Sequence, residues 1–157
     1  MSDVLTLAEA VAYRAQLKAD DKTLVVTNGC FDILHRGHAS YLAEAKKLGD
    51  ALLVLVNSDA SVRALKGPAR PVNAENDRAF LLTQLKAVDK AVIFDGARCD
   101  RELAALAPDV YTKAGDYTLD KLDASERAAL EKHHVKIVFM PFVDGFSTTK
   151  VIEKMQR

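Results

Sequence analysis

Five short apolar runs, at residues 24–27, 51–57, 91–94, 110–113 and 135–140, alternate with stretches of helical period at 41–48, 78–85, 101–106 and 125–131. No other property of the chain restricts its fold as much. The runs are apolar throughout rather than at every second position, so each strand must be covered on both faces, as in a parallel sheet. Parallel neighbours need crossover helices, and the right-handedness of those crossovers leaves few topologies. The expectation is an α/β chain with one doubly wound, Rossmann-like sheet of about five strands. A chain of 157 residues, 49% of them hydrophobic, can bury a substantial core as one domain. That domain is expected to span residues 1–157, with an N-terminal helical segment at 1–20 ahead of a core at 21–157. Thr6 and Glu9 stand at capping-box spacing, and Leu7, Val11, Arg14 and Leu17 would form the mixed face of that first helix.

Ligands of such sheets bind beyond the carboxyl ends of the strands, at the point where the strand order reverses. Asn28, Asn57, Lys113 and the loop after Met140 all fall at predicted strand ends and therefore converge on one crevice. The most explicit chemistry follows the first long run, in Thr27-Asn28-Gly29-Cys30-Phe31-Asp32-Ile33-Leu34-His35-Arg36-Gly37-His38. Gly29 lets backbone approach a ligand, and free N–H groups of the turn and of a helix opening near Gly37 can cradle polyphosphate. His35 and His38 would lie one turn apart on one side of that helix, where imidazoles can neutralise charge growing on a phosphate. The plain alternative for an H-x-x-H pair is two surface histidines. A zinc site is the other, but no third ligand stands at zinc spacing nearby, and Cys30 and Cys99 are isolated rather than paired as C-x-x-C.

Charge and composition exclude several classes. Lys and Arg number 22 and so do Asp and Glu, so no broad nucleic-acid or anionic-membrane surface is expected and any positive field must be local. No charged start leads into an apolar signal segment, and the run at 51–56 is far too short to cross a bilayer; a cytoplasmic protein with free thiols is the expectation. The chain shows no internal repeat and no low-complexity tract. The stretch 66–71, rich in Gly, Pro and charge, reads as a loop over the site.

The run Gly29 to His38 resembles the H-x-G-H signature of the cytidylyltransferase-like nucleotidyltransferases. Asn57-Ser58-Asp59-Ala60-Ser61-Val62-Arg63, Leu65-Lys66-Gly67-Pro68, Arg70-Pro71-Val72-Asn73, Lys113-Ala114-Gly115-Asp116-Tyr117 and Asp144-Gly145-Phe146-Ser147-Thr148-Thr149 narrow the likeness. Together they are similar to the adenylyltransferase half of the bacterial heptose 1-phosphate kinase/adenylyltransferases, in the same order, from about Asp21 onward. Many members of the superfamily carry an arginine three residues before the glycine of the last segment, where this chain has Phe142; the heptose branch resembles this chain there.

The resemblance implies adenylyl transfer from ATP to D-glycero-β-D-manno-heptose 1-phosphate, with Mg²⁺ carried on the triphosphate and no protein metal site. ADP-heptose for the lipopolysaccharide inner core would be the product, and a separate heptose kinase the pathway partner. A homo-oligomer is compatible with this reading, and spacing does not specify one. His35 and His38 are implied as catalytic, beside the backbone of Asn28, Gly29, Cys30 and Phe31 and the helix opening at Gly37. Lys66 is either a cation that closes over the phosphates or a solvated surface lysine, and the likeness favours closure. Arg78, a cation at a helix start, opposes the helix dipole unless an anion is near, and is expected to bind phosphate. Asp59 either caps its helix alone or also faces the nucleotide, with Asn57 beside it. Ser147, Thr148 and Thr149 form a helix cap, a phosphate cradle, or both. Lys113 and Asp116 are the expected acceptor pocket, the lysine for a sugar phosphate and the acid for sugar hydroxyls. A CTP-dependent glycerol-phosphate cytidylyltransferase and a nucleotide-binding module without turnover are the rival readings.

Overall fold

In the computed structural model, which describes residues 3–141 and 143–157, alternate residues of the central strands enter two separate cores. The chain runs β1 (Val4–Leu5), α1 (Leu7–Ala19), β2 (Leu24–Gly29), α2 (Arg36–Lys46), β3 (Ala51–Asn57) and α3 (Asp59–Lys66). It continues through α4 (Glu75–Thr83), β4 (Lys90–Phe94), α5 (Asp100–Leu106), β5 (Val110–Ala114), α6 (Ala124–Lys132), β6 (Lys136–Met140) and α7 (Thr148–Met155). Leu24, Val26, Leu53 and Leu55 pack toward α1, α5 and α6, through Ala10, Leu17, Leu103, Leu106 and Leu130. Val25, Leu52, Val54 and Val56 pack toward α2 and α4, through Leu42, Ala45, Ala79 and Leu82. Burial on both faces is the physical reason the strands are apolar without alternation.

All pairings are parallel, in the order β1-β4-β3-β2-β5-β6. The sheet therefore has six strands rather than five; the extra one, Val4–Leu5, is too short to announce itself in the sequence and gains its register only by pairing Val4 with Ala91 and Leu5 with Val92. The order reverses at β2, which lies between β3 and β5. Its pairing with β3 runs from Leu24 opposite Ala51 to Gly29 opposite Val56, whereas its pairing with β5 covers Val25 opposite Val110 and Val26 opposite Tyr111. Among the described residues no helix is long and apolar enough to cross a membrane.

The first helix has the expected capping box: Thr6 Oγ1 accepts from the Glu9 N–H, and the Thr6 N–H donates to the Glu9 carboxylate at 2.7 Å. Its buried face differs from the expected one. Ala10, Arg14 and Leu17 are buried, while Val11 is exposed, because the helix docks an arginine rather than a valine against the sheet. The Arg14 guanidinium, 5% exposed, donates to both Asp109 carboxylate oxygens at 2.7 and 3.0 Å and to the Ala107 carbonyl at 3.0 Å. Asp109 in turn accepts from the Leu24 N–H at 2.7 Å, so one carboxylate joins α1 to the starts of β2 and β5. Arg14→Ala leaves a half-exposed carboxylate without its cation and is expected to lower stability by about 2 kcal/mol, less than a fully buried pair would lose. Urea denaturation measures it, and an unchanged midpoint would show that the ion pair adds nothing to the hydrophobic docking of α1.

Candidate active site

A cavity of about 620 Å³ opens at the carboxyl ends of β2, β3, β5 and β6, where Asn28, Asn57, Lys113 and Pro141 stand in its wall. Two helix N-termini enter it from one side. The first belongs to α2. His35 is its N-cap, and His35 Nδ1 accepts from the Gly37 N–H at 3.1 Å, which leaves Nε2–H as the donor of the neutral ring. The second belongs to α7, where Ser147 Oγ accepts from the Lys150 N–H at 3.1 Å and Thr148 Oγ1 donates to the Ile33 carbonyl at 3.4 Å. Ser147, Thr148 and Thr149 all line the cavity, so the cap and the cavity wall are the same residues.

Glycine is required where these helices meet. A Cβ on Gly37 would lie 2.9 Å from both His35 Cε1 and Phe146 Cβ. At Gly29 the sequence suggested room for a ligand, but the structure gives another reason. The Phe31 ring occupies that space, 2.8 Å from where a Cβ would stand, with Phe31 itself at φ +48°.

The imidazoles of His35 and His38 stack with centroids 3.8 Å apart and planes 22° from parallel, and the Phe31 ring lies 5.2 Å from His38. Burial holds His35 below the ordinary imidazole range. Burial and the neighbouring His35 push His38 down to about 4. His38 Nδ1 is buried with no hydrogen-bond partner among the described residues, and both rings line the cavity. Burial pushes the pKa of the neighbouring Cys30 thiol up, opposed by Lys66, Arg78 and Arg70 and reinforced by Asp32. Lys66, the last residue of α3, is exposed on the cavity rim and forms no ion pair among the described residues.

Asn28, Gly29, Cys30, Phe31, Gly37, Asn57, Lys66 and Lys113 line the same cavity. Asn28 Oδ1 accepts from the Tyr111 hydroxyl at 2.7 Å, and Asn57 Nδ2 donates to Ser61 Oγ at 2.8 Å. Three expected site residues are placed elsewhere. Arg78 is 1% exposed and its guanidinium is spent on the Asn73 carbonyl at 2.9 Å, the Cys30 carbonyl at 2.6 Å and Asp59 Oδ1 at 2.9 Å. The anion that this cation answers is therefore Asp59 rather than a ligand. Asp59 is correspondingly not the cap of α3, because Ser58 is, its Oγ accepting from the Ser61 N–H. Asp116 is exposed and outside the cavity wall, and Phe142 lies outside the described residues.

Two residues that the sequence did not single out shape the site. Asp32 is 2% exposed; its carboxylate accepts from Arg70 Nε at 2.5 Å and from the N–H groups of Val72 and Asn73 at 2.8 and 3.0 Å. Burial pushes its pKa up, but those donors outweigh it and hold the carboxyl below its usual range. The stretch 66–71 is thus tied to the turn after β2 through Arg70, and Lys66 and Arg70 of this stretch line the cavity. Glu126, on α6, is buried at the other end of the cavity beside Lys113. Its place after Asp123 looks like an ordinary helix start, and Asp123 does accept from the N–H groups of Ser125 and Glu126.

Residues 26–154 match the family described as Cytidylyltransferase-like. The chain is 47% identical over 151 residues to the bifunctional protein HldE of Koribacter versatilis, a match covering 96% of this chain and 31% of that one. It is 51% identical over 135 residues to the HldE of Campylobacter fetus, covering 86% of this chain and 28% of that one. The chain thus spans about three-tenths of the length of these curated relatives. Among solved structures, the lipopolysaccharide core biosynthesis protein from Thermoplasma volcanium is 32% identical with a TM-score of 0.63, covering 78% of this chain and 97% of that one. Pantothenate synthetase from Thermus thermophilus, 16% identical with a TM-score of 0.59 over 94% of this chain and 66% of that one, shares the fold.

The depressed His38 pKa has a consequence for stability. With about 4 in the folded chain against an ordinary 6.5, the unfolded chain binds more protons between those values. The stability conferred by a neutral His38 is therefore complete above about pH 6.5 and is lost as pH falls toward 4. Between pH 7.5 and 5 this loss amounts to at most about 2 kcal/mol. Urea unfolding of the wild type and of His38→Gln at both pH values is expected to show the smaller pH dependence in the variant. Parallel pH profiles would mean that His38 titrates normally.

Proposed function

The chain belongs to the cytidylyltransferase-like family, and from that membership we propose that it transfers the adenylyl group of ATP to D-glycero-β-D-manno-heptose 1-phosphate. The observation that carries the reading is one cavity with two helix N-termini and a stacked histidine pair at one end, and a lysine–carboxylate pair at the other. The likeness to proteins named HldE and to a lipopolysaccharide core biosynthesis protein supports the heptose acceptor. The products would be ADP-heptose for the lipopolysaccharide inner core and pyrophosphate.

In this reaction an oxygen of the sugar phosphate attacks the α-phosphorus of ATP and the bond to the bridging oxygen of pyrophosphate breaks, so no protein nucleophile takes part. Catalysis then consists of positioning and charge stabilisation. His35 donates from Nε2–H, and His38 supplies a second imidazole, its Nδ1 unspent among the described residues. An approaching polyphosphate raises both pKa values, so the rings gain protons when their charge is most useful. Ser147, Thr148, Thr149 and the first turn of α2 offer N–H and hydroxyl donors to the phosphates. Lys66 closes from the rim, and Lys113 receives the acceptor phosphate.

Mg²⁺ accompanies the triphosphate in this reading. Among the described residues no group of three or more His, Cys, Asp or Glu could hold a metal ion, so the site fits a cation carried on phosphate oxygens and water. When bound it neutralises phosphate charge. The work would take place in the cytoplasm, on an acceptor that a heptose kinase has already phosphorylated.

His35→Ala and His38→Ala are each expected to lower turnover by about two orders of magnitude, the scale of losing one transition-state charge stabiliser. Steady-state kinetics on folded variants measures it, and wild-type rates from the double variant would remove both rings from catalysis. Substrate choice is read from kcat/KM for ATP against CTP, and for heptose 1-phosphate against glycerol 3-phosphate. ATP with heptose 1-phosphate is expected to win. A preference for CTP with glycerol 3-phosphate would reject the heptose assignment and leave nucleotidyl transfer standing.

A further inference from the structure

Glu126 is 3% exposed, yet it lines the cavity. Its two carboxylate oxygens have different fates. Oε1 accepts from the Cys99 N–H at 3.1 Å and lies 3.5 Å from Cys99 Sγ. The thiol stays protonated, since burial and the nearby Glu126 charge both push its pKa up. Oε2 is buried without a hydrogen-bond partner among the described residues and stands 3.7 Å from Lys113 Nζ, close enough for attraction and too far for a hydrogen bond. Lys113 is itself steered by the Tyr117 ring, whose centroid lies 4.7 Å from Nζ.

A carboxylate oxygen buried and unspent is costly, and structures rarely keep one without use. This one also repels phosphate, so it marks the part of the cavity that takes a neutral, hydroxyl-bearing portion of the acceptor. Sugar hydroxyls are the donors that a lone carboxylate oxygen beside a lysine can satisfy. We propose that Glu126 is the acceptor-recognition residue of this site, its Oε2 accepting a hydrogen bond from a sugar hydroxyl while Lys113 holds the adjoining phosphate. The proposal rests on the sugar-phosphate reading above, and it moves hydroxyl recognition from the exposed Asp116 to a buried acid on α6. Cys99 acts as the positioning residue, since its N–H and thiol fix Oε1 and thereby aim Oε2.

The test is a cycle between residue and substrate. Glu126→Gln keeps the shape and an oxygen for the Cys99 N–H, and presents an amide N–H₂ to the cavity. With heptose 1-phosphate, kcat/KM is expected to fall by about 10- to 100-fold, through the acceptor KM, while the KM for ATP stays within about twofold. Repeated with heptose 1-phosphates that each lack one sugar hydroxyl, the loss is expected to vanish for one of them. An equal loss with every analogue would mean that Glu126 only steadies Lys113, and no loss would mean that it does not meet the acceptor; either overturns the proposal. Should Glu126→Gln fail to fold, Glu126→Asp keeps the charge and draws the oxygen back, and the same hydroxyl dependence is expected from it. Failure of the heptose reading is separately visible as a wild-type enzyme that ignores heptose 1-phosphate and accepts glycerol 3-phosphate. The same cycle, run with glycerol 3-phosphate and 2-hydroxyethyl phosphate, then decides Glu126 alone.

Discussion

The turn after β2 is held from behind by a guanidinium that solvent scarcely reaches. Arg78 donates to the carbonyls of Cys30 and Asn73 and to Asp59, so one side chain ties together the turn, the loop that precedes α4 and the start of α3. A buried cation with a partner for each nitrogen is tolerated, whereas the same cation with one partner removed is strongly destabilising, by about 3–5 kcal/mol. The turn therefore has one conformation. Asp32 completes the clamp from the other direction by collecting the N–H groups of Val72 and Asn73 and the Arg70 side chain. With backbone at 30–32 fixed against backbone at 72–73, Phe31 can be held at positive φ and its ring laid over Gly29, next to His38. The histidine pair inherits its placement from a network that contains neither histidine.

Charge is partitioned accordingly. Equal numbers of acidic and basic residues would leave nothing for a polyanion if they were spread evenly. Instead Arg14, Arg70 and Arg78 are each consumed by a carboxylate inside the fold, and Lys66 is left unpaired among the described residues at the rim. The stacked imidazoles stay neutral because burial opposes protonation of both rings and the neighbouring His35 adds to this at His38. In the proposed reaction the two imidazoles carry no charge at rest and gain it in response to an entering phosphate. Such preorganisation costs no rearrangement at the moment of reaction.

Much of this was legible in the residues. Unbroken apolar runs required a parallel sheet, and the glycine turn followed by two histidines pointed to the carboxyl edge where the cavity lies; both follow from local pattern. What pattern did not carry is the identity of long-range partners. Arg78 at a helix start looked like a cation waiting for an anion, and it was, but Asp59 supplies that anion from nineteen positions earlier in the chain. Asp116 looked like an acceptor-site acid from its place beside Lys113, yet the chain turns it to solvent. Glu126 carried the spacing of a helix cap and gave no sign of burial, because only the packing of α6 against Cys99 makes it a cavity residue. Short β1 escaped notice for a related reason, since two residues have no period.

The reversal of strand order explains why the two ends of the cavity can cooperate. Backbone pairing between β2 and β5 covers only Val25 opposite Val110 and Val26 opposite Tyr111, and beyond it side chains take over. The Tyr111 hydroxyl donates to Asn28 Oδ1 at 2.7 Å, while the Tyr41 hydroxyl lies 2.7 Å from Thr27 Oγ1 and donates to Thr112 Oγ1 at 3.3 Å. Burial pushes the pKa of both tyrosines up, so these bonds keep their protons at any working pH. They fix the spacing between the strand that leads into the Gly29 turn and the strand that carries Lys113. The proposed in-line attack would depend on that spacing, because a displacement of about 1 Å between donor and acceptor can cost about a hundredfold in rate. A backbone ladder would hold the strands equally well but would close the crevice. Side-chain bridges hold them together while leaving the crevice at their carboxyl ends open.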